Sequence, residues 1–268
     1  MTLRPLFLAL ALTFPPALAA AQDIEGLQSA VIRTGWRMPT GSYMTALDLR
    51  LSPGWKTYWR APGDAGIPPS FDWAGSDNIG EVRLHWPSPE VFTLNGMQTV
   101  GYPEALVLPM EVIPQDPARP VSLNLAVDLG ICKDVCLPAS LRLSATASGP
   151  GAEDAQILAA LAARPLTATE AAVGRTACTA LPIEDGLRLT AEITLPRFGA
   201  ADEVAVFETA DRSIWISQSV TTRNGGTVTA SSDLVGQSGA PFALERQGVT
   251  VTLISGGTSV EIRGCPAP

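Results

Sequence analysis

The chain has 268 residues, 46% of them hydrophobic and only 16% charged, with a formal net charge of −8. That composition excludes a disordered chain, and the acidic balance lacks the basic footprint that sequence-independent nucleic-acid binding requires. With 24 Gly, 23 Pro and a single His, His85, it suits a turn-rich β protein and excludes any site built on two histidines.

The first element in chain order is a leader. One positive charge, Arg4, precedes the apolar run Leu6–Phe14, and Ala19-Ala20-Ala21 is a small-x-small cleavage signal. This reads as a secretory signal peptide over residues 1–21, too short to be a bilayer span. No later segment is long and apolar enough to be a span, so a periplasmic, oxidising destination is expected.

From residue 22 to 148 the pattern predicts short strands: Tyr43–Leu51, Trp55–Arg60, Val82–Trp86, Leu106–Val112, Val121–Leu129 and Leu141–Ala147. Turn clusters rich in Pro and Gly separate them. Residues 149–176 predict a linker with one Ala-rich helix, Ala152–Arg164, with Glu153 and Asp154 favouring its start and Arg164 its end. Residues 177–268 return to strands: Leu187–Leu195, Val204–Glu208, Ile214–Val220, Thr227–Ser231, Val249–Ser255 and Thr258–Arg263. Asn224-Gly225-Gly226 and Gly256-Gly257 predict hairpin turns. The fold class is therefore all-β, two sandwich domains joined by a short helical linker.

The four cysteines are Cys132, Cys136, Cys178 and Cys265. In an oxidising compartment two disulfides are the default. Cys178 opens the second domain and Cys265 closes it, so a bridge between them reads as a structural staple. Cys132 and Cys136 lie near a turn between two predicted strands, where opposed residues are close enough to bridge. Such a small ring removes little unfolded-chain entropy, which favours a redox pair over a staple. Three other readings use the same residues. Reduced, the pair offers two soft thiolates to Cu(I), as in a copper-handling protein. Nucleophilic catalysis would need His85 as base, and a strand histidine is the better reading of it. Last, both bridges are structural and the chain is a non-catalytic binding module.

The segments PGWKTYWRAPGDAGIPPSFDW (Pro53–Trp73), WPSPEVF (Trp86–Phe92), Gly101-Tyr102 and LGICKDVCLP (Leu129–Pro138) resemble the amino-terminal domain of the thiol:disulfide interchange protein DsbD family. The resemblance is to the branch that includes the suppressor-of-copper-sensitivity protein ScsB. It implies an immunoglobulin-like sandwich for the first domain, and the second domain resembles the paired β domain of that branch. It implies a protein-disulfide reductase type of exchange, with Cys136 reacting with partners and Cys132 resolving the mixed disulfide. It further implies a membrane thiol carrier or thioredoxin-like protein as electron donor and periplasmic disulfide proteins as acceptors, in cytochrome c maturation or copper tolerance. A cap segment over the pair is also implied, with residues 64–71 a candidate. No cofactor and no metal is expected. Beside the pair, Lys133 favours a thiolate and Asp134 opposes it.

Overall fold

The computed structural model describes residues 24–94, 96–237 and 242–268, so the expected leader lies outside the described residues. The described residues are mostly strand, with one short α-helix, and their four sheets are consistent with two β-sandwich domains. Among the described residues no helix is long and apolar enough to cross a membrane.

The first pair of sheets uses β1 (Leu27–Arg37), β2 (Tyr43–Leu51), β3 (Lys56–Tyr58), β4 (Ser70–Asp72), β5 (Ile79–Leu84), β6 (Glu90–Leu94), β7 (Met97–Pro103), β8 (Ala105–Pro114), β9 (Val121–Cys132) and β10 (Cys136–Ala147). One sheet runs β1-β2-β8-β5 and the other β10-β9-β3-β7-β6, with β4 also pairing with β9. Leu47, Leu49 and Leu51 of β2 meet Leu125, Val127, Leu129 and Ile131 of β9 in the core between them, around the fully buried Trp59. The strand β1 was absent from the sequence reading. Register shifts between Leu27 and Ser29 and between Arg33 and Trp36 break its alternation, so no period of two survives in its sequence.

The helix α1 (Ala155–Ala162) is shorter than expected. Asp154 stands outside it as the N-cap, its carboxylate accepting from the backbone N–H groups of Gln156 and Ile157. The helix is no free linker, because Ile157 packs with Met44 and Ala46 on the outer face of β2. That second cover explains why β2 is buried on both faces.

The second pair of sheets uses β11 (Leu166–Thr167), β12 (Thr176–Pro182), β13 (Gly186–Thr194), β14 (Val204–Glu208), β15 (Trp215–Ile216), β16 (Val220–Asn224), β17 (Thr227–Val235), β18 (Thr250–Ser255) and β19 (Thr258–Arg263). Their orders are β11-β19-β18-β14 and β12-β13-β17-β15, with β16 also pairing with β17. The expected strand Ile214–Val220 is two pieces, β15 and β16. Between them Ser219 turns aside and donates its hydroxyl to the Ala205 carbonyl on the neighbouring sheet, 2.6 Å. Ser255 and Thr258 are register partners, so Gly256-Gly257 is a two-residue hairpin turn, and both glycines take positive φ, 55° and 79°. The two sandwiches touch. Ile254 of β18 packs into the first core, and the Ser259 hydroxyl donates to Ser88, 2.9 Å.

Candidate functional site: the Cys132–Cys136 hairpin

The strand β9 alternates cleanly through Asp128, with odd-numbered residues in the core and even-numbered residues facing out. From Leu129 to Cys132 all four residues are buried. The break in alternation means that something covers the outer face there. β10 pairs with β9 so that Cys136 directly opposes Cys132 across the three-residue loop Lys133-Asp134-Val135. Both side chains therefore share the outer face, and they form a disulfide with the Cα atoms 4.2 Å apart.

The cover comes from the other edge of β9. β3 pairs there through Thr57 and Ile131, and β4 pairs through Ser70 and Asp128. The chain between them, residues 59–69, leaves the sheet and returns to the same strand three positions further along, at Asp128 rather than Ile131. This excursion lies over Gly130. A Cβ on Gly130 would come within 2.9 Å of the Tyr58 ring and 3.0 Å of the Ile67 Cβ, so no larger residue fits. Ile67 belongs to the segment considered as a cap.

The two sulfurs are not equivalent. Cys132 is 1% exposed, while Cys136 is exposed at the hairpin tip. The Tyr58 hydroxyl lies 2.8 Å from the Cys136 sulfur. A disulfide sulfur carries no hydrogen, so Tyr58 donates. Burial pushes the Tyr58 phenol above its usual pKa, which keeps it protonated and a donor at neutral pH. Tyr58 is buried because its ring fills the space left by Gly130. Sequence reasoning placed Tyr58 within a family motif but did not join it to the cysteines, which lie 78 residues on.

Lys56, the register partner of Cys132 on β3, also faces outward. It turns away, donating to the Thr99 hydroxyl at 3.0 Å and lying 4.6 Å from the centre of the Phe92 ring. Burial lowers its pKa. Lys133 is exposed and its side chain extends over Gly54, while Asp134 is exposed at the loop tip. His85 is not brought to the cysteines. It follows β5 and sits beside Glu111 of the neighbouring strand β8, in the sheet that does not carry the cysteines, Nε2 to Oε2 3.5 Å.

Cys178 and Cys265 form the second disulfide, Cα atoms 5.4 Å apart, with both residues fully buried in the second core. The Arg246 guanidinium donates to both of their carbonyls, at 2.9 and 3.2 Å. Such a bond between buried sulfurs is closed to any incoming thiol. Among the described residues no group of three or more His, Cys, Asp or Glu gathers in one place. A Cu(I) ion at the reduced Cys132–Cys136 pair would thus find two thiolates and no third residue of those types.

No curated protein matches the chain significantly. The crystal structure of the N-terminal periplasmic domain of ScsB from Proteus mirabilis shares the fold, with a TM-score of 0.69 and 22% identity, covering 92% of this chain and 96% of that one. The family described as thiol:disulfide interchange protein DsbD, N-terminal, matches residues 28–148, the stretch that carries both halves of the hairpin and the excursion above it. Residues 28–148 of this chain belong to the DsbD N-terminal domain family.

Proposed function

We propose that the chain is a periplasmic thiol–disulfide exchange protein that relays reducing equivalents through Cys132 and Cys136. Its donor is a membrane thiol carrier or a thioredoxin-like protein, and its acceptors are periplasmic disulfide proteins. The domains are read as an immunoglobulin-like sandwich over residues 22–148, a linker over 149–176 and a second sandwich over 177–268. The observation that carries the proposal is the asymmetry of the pair: Cys136 is open to solvent and hydrogen-bonded by Tyr58, and Cys132 is buried behind it.

The chemistry follows from that asymmetry. A donor thiolate attacks the Cys136 sulfur, the Cys132–Cys136 bond breaks, and Cys132 leaves as a thiolate that takes up a proton. A second donor thiol then attacks the donor sulfur of the mixed disulfide. The donor departs oxidised, and this chain holds two thiols. In the second half-reaction the Cys136 thiolate attacks an acceptor disulfide. Cys132 displaces the acceptor thiol and closes the original bond. Two electrons move in each half-reaction. Tyr58 stabilises the developing charge on Cys136 by donating its hydroxyl hydrogen.

The test is to count thiols. A mild reductant or a reduced thioredoxin-like donor, applied to native protein, is expected to free Cys132 and Cys136 while Cys178–Cys265 stays closed, as read by alkylation and peptide mass mapping. Release of all four together, or of the second pair first, contradicts the proposal. Tyr58→Phe removes the donor and leaves the ring on Gly130. Alkylation of reduced Cys136 at neutral pH should slow by roughly threefold to tenfold, and its pH profile should move to higher pH. An unchanged profile would show that the hydroxyl does not stabilise the thiolate.

A further inference from the structure

The excursion over Gly130 has a packed side and an open side. Its inner side, through Ile67, rests on Gly130 beside Tyr58. Its outer side, from Arg60 to Gly66, faces a cleft of about 540 Å³ between the two sandwiches, across which stand Glu208, Trp215 and Gln218. A loop without packing behind it is held by its ends and by polar anchors, and its local opening is correspondingly cheap. Its start is held within the first sandwich, where the Trp59 N–H donates to the Val100 carbonyl, 3.0 Å, and the Val100 N–H donates to the Pro62 carbonyl, 2.9 Å; its side-chain anchors come from the second sandwich. Arg60, two residues after Tyr58, donates from Nε and Nη2 to the two carboxylate oxygens of Glu208, both 2.9 Å, and from Nη2 to Glu261, 2.7 Å. Its guanidinium also lies 4.4 Å from the centre of the Trp59 ring. The Gln218 N–H points at the Asp64 carboxylate, 3.4 Å.

The cluster is closed in charge. Glu261 is shared with Arg263, 2.9 Å, so two arginines face two glutamates. Burial alone would lower the Arg60 pKa, yet its bonds to Glu208 and Glu261 raise it overall, so the cation persists there. Its fork engages carboxylates from β14 and β19, two strands of the same sheet, which fixes its direction as well as its place.

We propose that Arg60 is a positioning residue for the redox pair: through Glu208 and Glu261 the second sandwich holds the excursion shut over Gly130 and Tyr58, and so keeps the Cys132 sulfur closed to attack and leaves Cys136 as the point of entry. This rests on the exchange function proposed above. The second sandwich then does more than stabilise its neighbour, because it acts on the reactivity of a disulfide it does not contain.

The test uses the full-length protein and dithiothreitol as the attacking thiol. Arg60→Ala should speed reduction of Cys132–Cys136 by roughly fivefold, equivalent to about 1 kcal/mol, with no change at Cys178–Cys265. Glu208→Gln with Glu261→Gln, which leaves Arg60 on Trp59, should give the same acceleration, and Arg60→Lys should restore part of the wild-type rate. Equal rates in wild type and Arg60→Ala overturn the proposal. So does acceleration of both disulfides together, which would mark general loosening. A wild-type pair that resists dithiothreitol under native conditions, with or without Arg60, would instead overturn the exchange function itself.

Discussion

Cys132→Ala is expected to accumulate a stable mixed disulfide through Cys136, and Cys136→Ser is expected to lose exchange by at least about a hundredfold. An incoming thiolate must approach a sulfur in line with the bond it breaks. At Cys136 that line is open, and at Cys132, 1% exposed, it is not. Attack therefore falls on Cys136. With Cys132 absent nothing displaces the partner, so the intermediate persists. With Cys136 absent the remaining thiol is buried and unreactive. The measurement is periplasmic expression of each variant, followed by non-reducing electrophoresis and mass spectrometry of trapped partners. Partners trapped on Cys132 in the Cys136→Ser variant would reverse the assignment of the two sulfurs and remove the role given to Tyr58.

Replacing both Cys178 and Cys265 by Ala should produce the largest loss of stability. The bond spans 87 residues and ties β12 to the chain just after β19. Loop-closure entropy assigns a bridge of that span about 4–5 kcal/mol, against roughly 2 kcal/mol for the five-residue ring at Cys132–Cys136. A small domain has only about 5–15 kcal/mol in total, so the second sandwich should melt about 20 °C or more lower. Thermal unfolding followed by circular dichroism checks this. A shift of only a few degrees would mean that the core around Leu189, Ile193, Val251 and Leu253 holds the sandwich without the bridge. If Arg60 positions the excursion as proposed, the weakened second sandwich should also make the Cys132–Cys136 bond easier to reduce well below its melting temperature.

These expectations rest on different kinds of information. The local grammar of the chain was legible in its residues. Alternation in Val121–Leu129 and Leu141–Ala147, the turn residues between strands and the Gly256-Gly257 hairpin each depend on neighbours a few positions away. The structure has strands and turns there. The motif segments around Pro53–Trp73 and Leu129–Pro138 were enough to identify the family that matches residues 28–148. Elements without local regularity were not legible: β1, whose bulges erase its alternation, and the division of Ile214–Val220, imposed by a serine that bonds to another sheet.

The site itself needed the tertiary structure. Sequence spacing could bring Cys132 near Cys136, because both lie on one hairpin. It could not place Tyr58 on Cys136, 78 residues away, nor bury Cys132 and leave its partner open. It could not join Arg60 to Glu208 and Glu261, 148 and 201 residues distant. Backbone geometry repeats along a strand and so leaves a period in the sequence. Which side chain covers a given face is decided by where distant segments come to rest, and that leaves no period to read. In this protein residue pattern determined the strands and the family. Packing across the sheet and between the two sandwiches decided which sulfur is exposed and what lies over the other.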